Sequence, residues 1–138
     1  MHFTRKIVSV LSLGAAVVLA APVTADAANP AAARTHAQAN VACARGFVCI
    51  YPDMDFRGQP YVKRASDGSV SHLPDYIRSN GSSVINNSSR TARVYQNDNY
   101  GGRRVCVGRN GGSIQDLRSY QLNDTTHSLR NNDTACGG

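Results

Sequence analysis

The chain has 138 residues, with 15 lysine or arginine, 9 aspartate or glutamate and 4 cysteine residues, and a formal net charge of +6. This length suffices for one domain with a modest core. The arginines are spread along the chain rather than clustered with stacking aromatic residues, so the sequence does not favour a nucleic-acid-binding protein.

The N-terminal residues have the pattern of a secretory signal. A basic start, "MHFTRK", precedes an apolar run over residues 7–21 and a small-residue cleavage site at Ala25-Asp26-Ala27. We therefore predict a signal peptide over residues 1–27 and an extracellular, secreted product. Because the run is short and contains serine and glycine, a membrane span is disfavoured. Residues 28–42 are alanine-rich and are predicted to be a flexible lead.

Four cysteines in an exported chain predict two disulfides. They are Cys43, Cys49, Cys106 and Cys136. Three pairings are possible, and the spacing favours Cys43 with Cys49 and Cys106 with Cys136. A zinc site is disfavoured, since the chain has no CxxC motif and its histidines lack ligand spacing.

The folded part contains an internal repeat. "YPDMDFRG" at residues 51–58 matches "YQNDNYGG" at residues 95–102, and the register continues with an offset of 44 and then 45 residues. A repeat of this length indicates a duplicated structural unit. We interpret the following repeated residues as a fold motif: Tyr51, Phe56, Gly58 and Ser83, with Tyr95, Tyr100, Gly102 and Ser128.

Each copy is predicted to contain four short strands separated by turn residues. In chain order they are "FVCIY", "PYVK", "GSVSHL" and "SSVIN", then "ARVY", "RRVCV", "GSIQDL" and "HSLRN". No segment of the mature chain has helical periodicity. The prediction is an all-β, disulfide-linked sandwich of two Greek keys, about residues 43–90 and about 91–138. In each copy the glycine permits a fold-over between two strands, and the two aromatic residues clamp it.

These motifs resemble the βγ-crystallin fold. More narrowly, "CARGFVCIYPDMDFRG" and "SSVINNSSRTARVYQNDNYGG" are similar to the secreted peptidase inhibitors built on that fold, of the microbial metalloproteinase-inhibitor type. The resemblance covers residues 43–138. It implies a rigid, monomeric inhibitor whose partner is an extracellular protease, with a metalloproteinase as the first target to consider.

The resemblance also implies an inhibitory loop in "RRVCVGRNGG". Cys106-Val107 would be the reactive bond, Arg104 and Val105 would precede it, and a flexible shoulder would begin at Gly108. The alternation of Val105, Cys106 and Val107 also fits an ordinary strand anchored by Cys106. Both interpretations remain open at this point.

Calcium is the one cofactor that the resemblance raises. The family's sites resemble a motif matched by "NDTTHS" at residues 123–128 and, less well, by "RSNGSS" at residues 78–83. Calcium requires six to eight oxygen ligands, including carboxylates. We expect at most one weak site, at Ser82, Asp124 and Thr125, because Arg78 and His127 replace expected ligands elsewhere.

Two other classes of function are compatible with the sequence. One is a non-inhibitory βγ-crystallin-like binding or structural domain, and the other is a killer-toxin-like secreted protein. An enzyme is not expected and no catalytic residue is assigned, because the chain has no GxSxG, HExxH or paired-carboxylate motif.

Overall fold

The computed structural model describes residues 41–137, which form an all-β sandwich, as predicted. The predicted signal peptide, and the predicted flexible lead up to residue 40, lie outside the described residues. Within residues 41–137, no helix is long and apolar enough to cross a membrane. The strands are β1 Phe47–Tyr51, β2 Tyr61–Arg64, β3 Ser83–Asn86, β4 Thr91–Tyr95, β5 Arg104–Val107, β6 Gly112–Ile114 and β7 Ser128–Asn132. Short 3-10 turns lie at Met54–Phe56, Ala65–Asp67, Asp98–Tyr100 and Leu117–Tyr120.

The strands form two antiparallel sheets. The first sheet has the order β2-β1-β3-β6, and the second has the order β5-β4-β7. Strand β6 belongs to the second copy of the repeat but pairs with β3 of the first copy, with Val84 opposite Ile114. In return, Val70 of the first copy bridges to Leu129 of β7. The two copies therefore exchange their third segments and fold as one unit.

The third segment of the first copy is shorter than the predicted strand "GSVSHL", since it forms only this one bridge. The Asn131 backbone N–H donates to the Ser69 hydroxyl at 3.0 Å, and the Asn131 side chain donates to the Gly68 carbonyl at 3.1 Å. These side-chain hydrogen bonds replace backbone pairing, so the strand is interrupted beside Val70.

The core lies between the two sheets. Alternate residues of β1, β3, β4, β5 and β7 point inward, and leucine and isoleucine residues from the connecting loops close the ends. The buried apolar residues are Val48, Ile50, Ala65, Leu73, Ile77, Val84, Ala92, Val94, Val105, Val107, Leu117, Leu122 and Leu129.

The eight-residue motif is a fold-over between the first and second strands of each copy. Tyr51 contacts Phe56 with ring centroids 5.8 Å apart, and Tyr95 contacts Tyr100 at the same distance. Gly102 has a positive φ of 72°, and a side chain there would also collide with the Asn97 amide. The motif therefore has a structural role in both copies.

One serine in each copy holds the fold-over in place. The Ser83 hydroxyl donates to the Asp53 carbonyl at 2.6 Å and accepts the Phe56 N–H at 3.0 Å. In the second copy, the Ser128 hydroxyl donates to the Asn97 carbonyl at 2.6 Å and accepts the Tyr100 N–H at 3.0 Å. Both serines are fully buried.

Replacing either serine by alanine is expected to destabilise the protein. Ser83→Ala or Ser128→Ala leaves one N–H and one carbonyl without their partner, which costs about 2 kcal/mol. The exposed Ser66, whose hydroxyl donates to the neighbouring Asp67 carboxylate, provides the control, and Ser66→Ala should change little. Urea denaturation measures the difference. A loss in Ser83→Ala as small as that in Ser66→Ala would contradict the assigned role.

Candidate functional site

The predicted inhibitory stretch is an ordinary edge strand. Strand β5 pairs with β4, with Val94 opposite Val105 and Ala92 opposite Val107. Val105 and Val107 are 6% and 2% exposed and belong to the core, whereas Arg104 is exposed. Because Val107 points between the sheets, it cannot enter a protease pocket while the domain is folded. The geometry therefore favours the strand interpretation over Cys106-Val107 as a presented reactive bond.

The two disulfides join Cys43 to Cys49 and Cys106 to Cys136, the pairing that the spacing favours. The second one fixes the C-terminal segment against the outer face of β5. Arg93 of the neighbouring strand holds the same segment, since its guanidinium donates to the Asn132 side chain at 2.7 Å and to the Ala135 carbonyl at 2.8 Å. Strand β5 is thus held by its pairing with β4 and by its disulfide to the C-terminal segment.

Within residues 41–137, no strand pairs with the outer edge of β5. The Gln96 N–H donates to the Arg103 carbonyl at 2.8 Å, so the backbone groups of Arg103 face β4. In an antiparallel pair the direction alternates, and the backbone groups of Arg104 and Cys106 therefore point away from β4. Since β5 is the last strand of its sheet, these groups are available to an additional strand.

Three arginines meet on the outer face of the second sheet, which sequence reasoning missed. Arg93, Arg104 and Arg130 line a depression of about 230 Å³, together with Tyr95, Asn132 and Thr134. Arg93 lies on β4, Arg104 on β5 and Arg130 on β7. Alternation along each strand suggested which residues share a face, but only the register between strands brings these three together.

Two of the three predicted calcium residues, Ser82 and Asp124, line a separate cavity, whereas Thr125 does not. The Ser82 hydroxyl is 3.4 Å from an Asp124 carboxylate oxygen, and Asp53 and Asn123 also line the cavity. The Thr125 hydroxyl is buried without a hydrogen-bond partner among the described residues.

Two guanidinium groups, those of Arg57 and Arg118, line the same cavity. The side-chain hydrogen bond from Arg118 is the main cause that lowers the pKa of the Asp116 carboxyl, so Arg118 carries its own counter-ion there. Nowhere in residues 41–137 do three acidic, histidine or cysteine side chains form a metal-binding group. With so few carboxylates and two nearby cations, the residues fit calcium poorly.

At the corresponding place in the other copy, a histidine and an arginine lie beside Ser79. There the Ser79 hydroxyl lies 2.7 Å from His127 Nε2, and Arg78 contacts Asp75 at 2.8 Å and Asp98 at 3.9 Å. A guanidinium therefore provides positive charge near the carboxylate of Asp98.

The exchanged third segments, the two aromatic fold-overs and their serine hydrogen bonds define a βγ-crystallin-type domain. Solved structures share this fold. The protein solved in work on the evolution of the eye lens βγ-crystallin domain fold is 21% identical, with a TM-score of 0.58 over 67% of this chain and 90% of that one. A βγ-crystallin from Ciona intestinalis is 22% identical, with a TM-score of 0.53 over 62% and 99%. An archaeal βγ-crystallin is 24% identical, with a TM-score of 0.51 over 64% and 99%.

The model of peptidase inhibitor family I36 matches residues 36–107, just over half of the chain. The chain therefore belongs to peptidase inhibitor family I36. No curated protein sequence matches the chain significantly. Family membership makes the protein a peptidase inhibitor and a peptidase its partner, in agreement with the resemblance drawn from the sequence.

Proposed function

We propose that the protein inhibits an extracellular metalloproteinase by placing the outer edge of β5 against the active-site cleft. The observation that carries the proposal is the open edge at Arg104 and Cys106, on a strand held by the Cys106–Cys136 disulfide. The choice of a metalloproteinase rests on the resemblance of the sequence to metalloproteinase inhibitors. A serine protease is the comparison to test beside it.

Strand addition suits the chemistry of this edge. An extended segment that pairs with an exposed strand gains backbone hydrogen bonds irrespective of its side chains. Because β5 is already fixed in its sheet, little conformational entropy is lost on docking. The burial of Val107 supports a mode in which the inhibitor is bound without being cut.

The outward N–H of residue 104 provides the test. Proline at an edge strand is tolerated when the missing N–H faces away from the sheet, so Arg104→Pro should fold while it blocks strand addition. Arg104→Ala removes the same side chain and keeps the N–H. We expect the inhibition constant against a thermolysin-like protease to be about tenfold higher or more for the proline variant than for the alanine variant.

Each inhibitor is expressed from the full chain, checked by thermal melting and titrated against thermolysin-like and subtilisin-like proteases. Equal inhibition constants for the two variants would refute docking through this edge. Tighter inhibition of the serine protease would refute the choice of target. Mass spectrometry of the complex should find the Cys106-Val107 bond intact, and a cut there would restore the reactive-bond mechanism.

A further inference from the structure

The outer face of the second sheet carries a fixed group of positive charges. We call Arg93, Arg104 and Arg130 the arginine face. Arg93 is 7% exposed, and its guanidinium is oriented by hydrogen bonds to Asn132 and to the carbonyls of Thr134 and Ala135. Arg130 lies over the Tyr100 ring, with its guanidinium carbon 4.2 Å from the ring centroid. Two of the three guanidiniums are therefore held in place before any ligand arrives.

These charges have no counter-ion among the described residues. Arg57, Arg78, Arg90 and Arg118 each lie within 4 Å of an aspartate carboxylate. In residues 41–137, no carboxylate lies within that distance of Arg93, Arg104 or Arg130. Guanidinium groups that share a depression repel one another, and an anion placed among them removes that repulsion.

The repeat shows that the fold does not require these arginines. In the first copy the equivalent positions, at the same offsets of 44 and 45 residues, are occupied by Cys49, Pro60 and Ile85. None of these is charged, although the first sheet has the same strand pairing, with β1 between β2 and β3. The arginine face is thus a feature of the second copy alone.

We propose that the arginine face binds a carboxylate-bearing segment of the partner peptidase, next to the cleft reached by β5. This inference rests on the proposed function, because Arg104 belongs both to the open edge and to the arginine face. Arginine matches carboxylates through two parallel hydrogen bonds, and opposite charge accelerates and orients docking. A nucleic acid is a poorer match, since Tyr95 is buried and Arg130 already covers Tyr100, which leaves neither ring open for base stacking.

A direct binding experiment tests the inference without a protease. Poly-L-glutamate is titrated into the protein at low and high salt by calorimetry. The variants are Arg104→Glu, which alters an exposed side chain, and Arg130→Gln, which removes a charge and keeps a polar side chain. Arg45→Glu is the control, because Arg45 is exposed and lies outside the arginine face.

We expect Arg104→Glu to weaken poly-L-glutamate binding about tenfold or more and Arg130→Gln several-fold, with little change for Arg45→Glu. Binding of the original chain should weaken with added salt. Equal weakening by Arg104→Glu and Arg45→Glu would show a response to net charge alone and would overturn the inference. Tighter binding of a single-stranded oligonucleotide than of poly-L-glutamate would overturn it as well.

Inhibition assays separate the two proposals. If Arg130→Gln weakens inhibition and the Arg104 proline and alanine variants are equal, the arginine face stands and edge docking fails. If proline blocks inhibition but Arg130→Gln leaves both inhibition and poly-L-glutamate binding unchanged, edge docking stands and the arginine face fails.

Discussion

Replacing Cys106 and Cys136 together by serine is expected to lower the free energy of unfolding by about 4 kcal/mol. The two cysteines are 30 residues apart, and without the cross-link the unfolded chain regains the freedom of that loop. Replacing Cys43 and Cys49, which are 6 residues apart, should cost only about 2 kcal/mol by the same reasoning. The pair of double variants therefore compares a long loop with a short one in the same domain.

Arg93 adds to the effect of the longer loop. Its side chain is almost fully buried and donates to carbonyls at Thr134 and Ala135, next to Cys136. When the segment is released, the guanidinium loses its hydrogen bonds to both carbonyls and keeps the one to Asn132 of β7. The decrease in the free energy of unfolding on removing the Cys106–Cys136 disulfide should therefore be at least the value expected from loop entropy alone.

Guanidinium denaturation of both double variants measures the two losses. The midpoint should fall further for the Cys106/Cys136 variant than for the Cys43/Cys49 variant, with similar slopes. An equal or larger loss in the Cys43/Cys49 variant would contradict the assigned role of the C-terminal segment.

The fold was predictable because the two copies of the repeat can be aligned residue by residue. An offset of 44 residues aligns Tyr51 with Tyr95, an offset of 45 aligns Ser83 with Ser128, and in the structure these residues have equivalent contacts in both copies. The family resemblance was confirmed by the family match and by the βγ-crystallin structures. The exchange of third segments was not predicted, since strand order depends on contacts between residues far apart in the chain.

The site was less predictable. The alternation of Val105, Cys106 and Val107 fitted both a presented bond and a strand, and only the burial of Val107 distinguishes them. The three arginines looked evenly spread because they lie on separate strands. Sequence pattern fixes the face of a residue within its strand, but the alignment of neighbouring strands decides which charges meet.

A second large effect is expected where the two copies meet. Gly81 and Thr126 are equivalent residues of the repeat, at an offset of 45. The backbone joins them reciprocally: Ser79 N–H donates to the Thr126 carbonyl at 3.2 Å, and Asp124 N–H donates to the Gly81 carbonyl at 3.0 Å. A Cβ at residue 81 would collide with Thr126 Oγ1. Glycine in one copy therefore makes room for threonine in the other.

Gly81→Ala is expected to lower the free energy of unfolding by about 3 kcal/mol, because the added methyl group also meets Ile50 Cγ2 at 2.9 Å and both neighbours are fully buried. Gly108→Ala is the control, since nothing lies within 4 Å of its Cβ position.

A double-mutant cycle with Thr126→Ala tests whether the clash is with Thr126, because that change removes both Thr126 atoms nearest the new methyl group. The loss of stability in the double variant should be smaller than the sum of the two single losses by about 1 kcal/mol or more. Strict additivity in urea denaturation would mean that Gly81 serves another purpose. A positive coupling would show that the two copies carry complementary residues, glycine and threonine, where they contact each other. The arginine face is a second difference between the copies, at the solvent-exposed surface.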